Sequence, residues 1–191
     1  IDGSTMPLPQ PFIVLATQNP VESESTFQLP AAQMDRFFMK LSLGYPDPKE
    51  EQQMLANLGD AIPFAGVNPV TSAKGIVEIQ EEIKAINVSE SISAYIVSLV
   101  GETRAHPLIK MGASPRGSRA LYKASKVWAA KNGRDFVTPD DVQELAVPVL
   151  AHRLLLKNEA RLSGKTAEVL IEEIVSKTPV PPARGELFDE R

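Results

Sequence analysis

PFIVLATQNPVESESTFQLPAAQMDRF, residues Pro11 to Phe37, opens on an apolar run and closes on an acid, an arginine and an aromatic ring. Phe12 to Ala16 is unbroken apolar sequence that stops abruptly at Thr17, Gln18, Asn19 and Pro20. That is how a strand buried on both faces reads when it opens into a loop. Ligands of open α/β sheets collect beyond the carboxyl ends of the strands, where the amide of Asn19 would project. A neutral amide there can orient a water or touch a phosphate, although Asn19-Pro20 reads equally well as turn chemistry.

The second half of the stretch supplies a cation. Pro30 stands where a first helical residue should, and Ala31 to Arg36 is about two turns of good helix former. From Phe37 to Leu43, Met39, Leu41 and Leu43 alternate with Phe38, Lys40 and Ser42, which predicts a second strand. Arg36 therefore closes a short helix at the mouth of a strand. On local physics it complements the helix dipole as a C-terminal cation.

Composition sets the outer bounds. With 191 residues and 43% hydrophobic content, the chain can bury the core of one medium domain or two small ones. The net charge of -4 argues against a nucleic-acid-binding surface spread over the whole domain, while leaving room for a local basic patch. Zero cysteines exclude disulfides and thiolate metal sites, and two histidines are too few for a histidine-rich metal site. No apolar stretch approaches the ~20 residues that span a bilayer, so the expectation is a cytoplasmic protein. The chain opens at Ile1 inside what reads as a strand and turn, which sets the further expectation of a missing upstream portion.

Taken in order, Ile1 to Pro11 reads as the tail of a hairpin, with Asp2-Gly3 as turn chemistry. Asp47-Pro48-Lys49-Glu50 supplies an N-cap, a Pro at the first helical position and a capping-box acid, predicting a helix from Pro48 to about Leu58, ended by Gly59. Ala61 to Asn68 is rich in turn residues and is the candidate linker. Ala85 to Val88 is a weak strand signal.

Beyond Ser89 the pattern is helical. Ser89 caps a helix whose Ile92, Tyr95, Ile96 and Leu99 fall at the spacing of one apolar face, and Ala105-His106-Pro107 breaks it. Ser114 and Pro115 start the next, with Leu121, Ala124, Val127 and Trp128 inward and an end near Asn132-Gly133. Thr138-Pro139-Asp140-Asp141 caps a helix through Val142, Leu145 and Ala146, which Pro148 interrupts or restarts before Val149 to Leu156. A last helix spans Thr166 to Ser176. Pro179 to Pro182 and the charged tail to Arg191 are expected to be extended and partly disordered.

Arg116 sits awkwardly in this scheme. Counted from Ser114 as N-cap, it lies in the first helical turn with Arg119 three residues on, and both cations face the positive end of the dipole. A bound anion would reverse the sign, because backbone N–H groups and two guanidinium groups would converge on its oxygens. The alternative is a salt bridge to one of the 24 acidic residues.

A-T-Q-N-P followed by L-P-A-A-Q-M-D-R-F, and later G-A-S-P-R-G-S-R, resembles the MoxR family of AAA+ ATPases, with three motifs in the right order and a likeness that runs to about Val180. The resemblance implies that Asn19 is sensor 1, between the γ-phosphate and the attacking water. It implies that Arg36 is the arginine finger reaching a neighbouring subunit's nucleotide, and that Arg116, with Arg119 beside it, is sensor 2. Ala31 stands where the family carries an acid, and Ser25, Thr26 and Phe27 stand where it carries Gly-Thr-Tyr.

The fold class so implied is an α/β remnant of a P-loop AAA+ core followed by an all-α lid bundle, mostly helical overall. Residues 1–62 would be the C-terminal part of the ATPase core, 63–87 a linker and connecting helix, 88–180 the lid and 181–191 a flexible tail. Without the rest of the sheet, Phe12 to Ala16 and Phe37 to Leu43 would leave apolar faces uncovered, and they are expected to dock on the helical part or pair between chains.

Two short segments mimic the missing nucleotide elements. Ser163-Gly164-Lys165-Thr166 ends like a phosphate-binding loop, but Glu159 stands where the first glycine belongs and no buried strand precedes it. Leu187-Phe188-Asp189-Glu190 imitates an acidic Mg²⁺-binding strand end with only two apolar residues. His152-Arg153 reads as a packed, hydrogen-bonded helix element.

Phosphoryl transfer of this class needs a backbone cradle with its Lys, a Mg²⁺ carboxylate and cations that meet charge on the γ-phosphate, and this sequence holds the cations alone. The expectation is an intact ATPase, using ATP and Mg²⁺, that couples hydrolysis to chaperone-like remodelling of partners, with this chain inactive and without bound nucleotide by itself. The family implies a homo-oligomeric ring, in the usual case a hexamer, and partners carrying a von Willebrand factor A domain. Two other readings stay open: a DNA-associated AAA+ motor, against which the acidic balance counts, and a noncatalytic helical interaction module.

Overall fold

A computed structural model describes residues 3, 5–18, 29–56 and 67–182. The chain divides into two units, one formed by Ile1–Leu15 and Leu41–Glu81, the other by Ala16–Lys40 and Glu82–Arg191. Asn19, Ser25, Thr26, Phe27, the linker from Ala61 to Gly66, Gly59 and the Leu187 to Glu190 segment lie outside the described residues.

In the first unit, Asp47 caps helix α2 (Pro48–Ala56) as the sequence requires. Its Oδ1 accepts the N–H groups of Lys49 and Glu50, both at 2.8 Å, and Glu50 returns a carboxylate oxygen to the Asp47 N–H at 3.0 Å. That reciprocal box satisfies donors the first helical turn cannot. Helix α3 (Ala73–Lys84) begins in this unit. Ser72 receives the Gly75 N–H at 3.1 Å.

The expected strand at Phe12 to Ala16 is not formed, and Leu15 stands 92% exposed. A strand has no internal hydrogen bonds, and among the described residues none lies alongside this one to complete it. The expected hairpin tail likewise forms no strand across residues 5–11.

The second unit holds the core. It begins with a single helical turn, α1 (Ala31–Met34), shorter than the sequence suggested, with Asp35 as C-cap. Its main body is α4 (Glu90–Ala105), β1 (Ile109–Met111), α5 (Pro115–Lys131), α6 (Pro139–Leu150), a 3-10 turn at Ala151–Arg153, β2 (Leu155–Leu156), α7 (Asn158–Leu162) and α8 (Ala167–Lys177). Helices α4, α5, α6 and α8 pack around Ile96, Leu99, Leu121, Val142, Leu150, Leu170 and Ile171, all buried. β1 and β2 pair antiparallel, Ile109 opposite Leu156. The weak strand signal near Ala85 is an isolated parallel bridge between Asn87 and Phe136.

The caps lie where the sequence put them. Ser89 Oγ takes the Ile92 N–H at 3.2 Å, and Thr138 and Asp141 form a capping box at α6. Asp141 is buried, so its charge needs a partner, which Arg134 supplies through both guanidinium nitrogens. Burial pushes the Asp141 carboxyl up, but the Arg134 and Thr138 hydrogen bonds outweigh it and hold the group below the ordinary carboxylate range.

Two helical readings need correction. Val127 is 47% exposed, and Ser125 and Ala129 are buried instead. The phase of α5 is set by Gly117, Ala120, Leu121 and Ala124, and Val127, three positions beyond Ala124, has rotated to the edge of that face. Pro148 does not stop α6, which continues to Leu150, and Leu155–Leu156 is strand instead of helix. A proline ring removes the N–H that would meet the Glu144 carbonyl, and the helix runs on past this one missing bond. Among the described residues no helix is long and apolar enough to cross a membrane.

Candidate functional site

Residues 35–40, the segment expected to start a second strand, are held on the end of α6 through their backbone. Lys40 donates its N–H to the Pro148 carbonyl at 2.9 Å, and Met39 packs against the core. His152 Nε2 lies 3.3 Å from the Phe37 carbonyl. Among the described residues no ladder forms here, and the carbonyls of Phe37 and Phe38 are taken by one side chain, Arg153.

Arg153 spends all five of its N–H bonds on oxygens. Nε donates to the Val149 carbonyl at 2.8 Å, which fixes the side chain along its own helix. Nη1 donates to the Asp35 carbonyl and, at 2.9 Å, to Asp35 Oδ1. Nη2 donates to the carbonyls of Phe37, at 2.6 Å, and Phe38, at 3.1 Å. The side chain is 2% exposed, so a guanidinium with its donors unmet would be costly here.

Gly117 makes the space. A Cβ there would come within 3.1 Å of Leu150 Cδ2 and 3.4 Å of Arg153 Cδ, so a bare backbone lets the Arg153 stem lie against α5.

Asp35 is the hub. Its Oδ1 takes Arg153, and both carboxylate oxygens lie within reach of the Ser114 hydroxyl, at 3.1 and 2.9 Å. Oδ2 accepts from Arg116 Nη1 at 3.3 Å. Burial pushes the Asp35 carboxyl up, yet the bonds from Arg153, Ser114 and Arg116 prevail and hold it below the ordinary carboxylate range. It is an anion with three donor residues, two from the start of α5 and one from the 3-10 turn after α6.

Ser114 works twice. As N-cap of α5 its Oγ accepts the Arg116 N–H at 3.2 Å, and its proton goes to Asp35. Pro115 fills the first helical position, where a missing N–H costs nothing.

Arg116 and Arg36 are thus joined through one residue: Asp35 bonds Arg116 and is the chain neighbour of Arg36. The salt-bridge alternative raised for Arg116 is realised, although its side chain remains 59% exposed. Arg36 and Arg119 are both exposed, and neither is among the partners of Asp35. Asn19 lies outside the described residues. Among those described, no group of three acids or histidines is placed to hold a metal ion.

Asp35 and Arg153 are the residues that sequence reasoning passed over. The acid before Arg36 stands in the D-R-F triplet, and His152-Arg153 reads from sequence as hydrogen-bonded packing. No spacing rule links positions 118 residues apart.

Ser163-Gly164-Lys165-Thr166 is a helix-to-helix turn. Ser163 caps the end of α7, Gly164 has a φ of +71°, Lys165 pairs with Glu173, and Thr166 caps the start of α8.

Residues 101–174 match the AAA lid domain model, and residues 1–39 match that of the ATPase family associated with various cellular activities. The chain is 45% identical over 185 residues to YeaC, an uncharacterized protein of Bacillus subtilis, covering 97% of this chain and 58% of that protein. It is 36% identical over 190 residues to chaperone MoxR1 of Mycobacterium tuberculosis, covering 95% and 50%. A crystal structure of a protein provisionally identified as an ATPase, from Cytophaga hutchinsonii, superposes with a TM-score of 0.85 at 38% identity, covering 94% of this chain and 58% of that one. The chain therefore spans between half and about three-fifths of the length of these relatives.

Proposed function

We propose, from the premise that this chain belongs to the MoxR family of AAA+ ATPases, that it is the part of such an ATPase that reads the nucleotide, carrying sensor 1, the arginine finger and the lid. On this reading residues 1–62 complete the ATPase core, 63–87 connect, 88–180 form the lid and 181–191 trail from it. The full-length protein binds ATP with Mg²⁺ and couples hydrolysis to chaperone-like remodelling of partner proteins. Ring assembly, in the usual case as a hexamer, follows from giving Arg36 a neighbour's nucleotide to reach. Partners with a von Willebrand factor A domain are the family's suggestion, and a cytoplasmic setting goes with them.

The observation that supports this reading best is the placement of Asp35. A nucleotide-responsive lid must be mechanically joined to the group that acts on the next subunit, and a single carboxylate here, adjoining Arg36, is held by Arg153 and Ser114 and also reaches Arg116. The residues fit an anionic ligand: Arg116 is exposed at the positive end of α5, which runs 17 residues, with Arg119 one turn on. Bound ATP would supply the phosphoryl group. Arg116 would draw the lid toward it, Arg36 would meet charge developing on a neighbour's γ-phosphate, and Asn19 would orient water.

The cradle lysine and the Mg²⁺ carboxylate are not among these motifs, so residues 1–191 alone are expected to show no hydrolysis. Titration of ATP into the full-length protein and into its Arg116→Ala variant tests the reading. Weaker binding by the variant supports it. Equal binding and equal hydrolysis would return the chain to a noncatalytic helical module.

A further inference from the structure

Asp35 holds two guanidinium groups, and the two contacts differ in kind. The Arg153 contact is 2.9 Å long, made by a side chain that is 2% exposed and fixed by four other hydrogen bonds. The Arg116 contact is 3.3 Å, single, and made by a side chain that is 59% exposed. Solvent screens the second far more than the first, and an exposed pair of that geometry contributes little. If one partner leaves, it is Arg116.

We infer that Asp35 is a positioning residue that occupies Arg116 when no nucleotide is bound and surrenders it to the nucleotide's phosphate. This rests on the nucleotide-reading role proposed above for Arg116. A polyphosphate offers more charge than one carboxylate and accepts two parallel guanidinium bonds, so it wins the exchange when present. Asp35 does not then stand unpaired, because Arg153 and the Ser114 hydroxyl stay with it. The turn bearing Arg36 also stays docked, since Arg153 grips the carbonyls of Asp35, Phe37 and Phe38 as well as the carboxylate. Asp35 is thus a competitor of the ligand, and its charge sets how much phosphate is needed to recruit the lid arginine.

The consequence runs against a merely structural role. A residue that only props up the site lowers ATP affinity when altered, whereas a competitor raises it. In the full-length protein, Asp35→Asn keeps hydrogen-bonding capacity but removes the charge. Releasing an exposed pair gives an ATP affinity about two- to fivefold higher, read by calorimetric titration. The gain disappears when Arg116→Ala is added, and Asp35→Glu, which keeps the charge, binds ATP like the unaltered protein.

Where Asp35→Asn fails to fold because it strands the buried Arg153 charge, the pair Asp35→Asn with Arg153→Gln removes both charges and leaves Arg116 untouched. The same gain is expected of it. Unchanged or weaker binding by the folded variants, or a gain that persists without Arg116, overturns the inference. An Arg116→Ala variant that binds ATP as the unaltered protein does would instead remove the sensor reading itself, so the two failures are told apart.

Discussion

Asp35 and Arg153, 118 residues apart in the chain, meet at 2.9 Å, and the same guanidinium carries the backbone carbonyls of Asp35, Phe37 and Phe38. One buried side chain thereby fixes the turn that presents Arg36 and keeps the segment after it from remaining loose strand.

Arg153→Ala removes five hydrogen bonds and leaves the Asp35 carboxylate without its closest cation. Breaking a largely buried pair from one side is expected to cost about 3 kcal/mol or more, read from urea unfolding midpoints at unchanged slope. Lysine should not rescue it, because the three donors of one ammonium cannot serve five oxygens on four residues. A loss below about 0.5 kcal/mol would mean that the turn is held by something else.

His152 gives the protein a pH-dependent stability. Burial, with the nearby charges of Arg153 and Lys40, pushes its pKa below the ordinary value against the pull of the Phe37 carbonyl. Its Nδ1 is buried without a hydrogen-bond partner, and the pull of the Pro148 carbonyl toward the protonated form is outweighed by burial. The folded state then binds the proton less readily than the unfolded one. This stabilisation is complete above about pH 7 and is lost as pH falls below 6.5 toward the folded value. The slope cannot exceed about 1.4 kcal/mol per pH unit. Unfolding midpoints between pH 7.5 and 5 should fall, and His152→Gln, which keeps the donor to Phe37, should flatten that part of the curve.

The join between α4 and the loop after β1 is tight. Thr103 Oγ1 donates to the Val100 carbonyl at 2.7 Å and accepts the Ala113 N–H at 3.0 Å, and a Cβ on Gly112 would lie 2.6 Å from the Thr103 carbonyl. Thr103→Val orphans the buried Ala113 N–H and is expected to cost about 1–3 kcal/mol. Gly112→Ala forces backbone apart and should cost about as much, both read by thermal or urea unfolding.

Lys165→Ala tests the imitation of a phosphate loop. Lys165 pairs with Glu173 in a turn between two helices, so the variant should bind ATP as the unaltered full-length protein does. A loss of nucleotide binding greater than about tenfold would reinstate that loop as a site, since such a loss is what a removed phosphate contact produces.

Local chemistry was legible and distant chemistry was not. Asp47, Ser89, Ser114 and Thr138 could be read as caps because a cap needs only its own next three residues. The apolar face of Ile92, Tyr95, Ile96 and Leu99 could be read because helical periodicity sets it. Phe37 to Leu43 alternates like a strand, but alternation does not say whether a neighbour exists. Phe37 to Lys40 docks on the end of α6, while Leu43 stands fully exposed. Arg116 could be marked as ill-placed for its helix dipole. Its partner could not be named, since any acid in the chain would have answered.

The most direct measurement of the account is ATP hydrolysis beside ATP binding for Arg36→Ala in the full-length protein. Hydrolysis should fall by about a thousandfold or more while the dissociation constant for ATP stays within about twofold, as for a finger acting on a neighbour's nucleotide. Undiminished hydrolysis would remove Arg36 from the chemistry, and lost binding would place it in its own subunit's pocket. Either would contradict the assignment on which the rest is built.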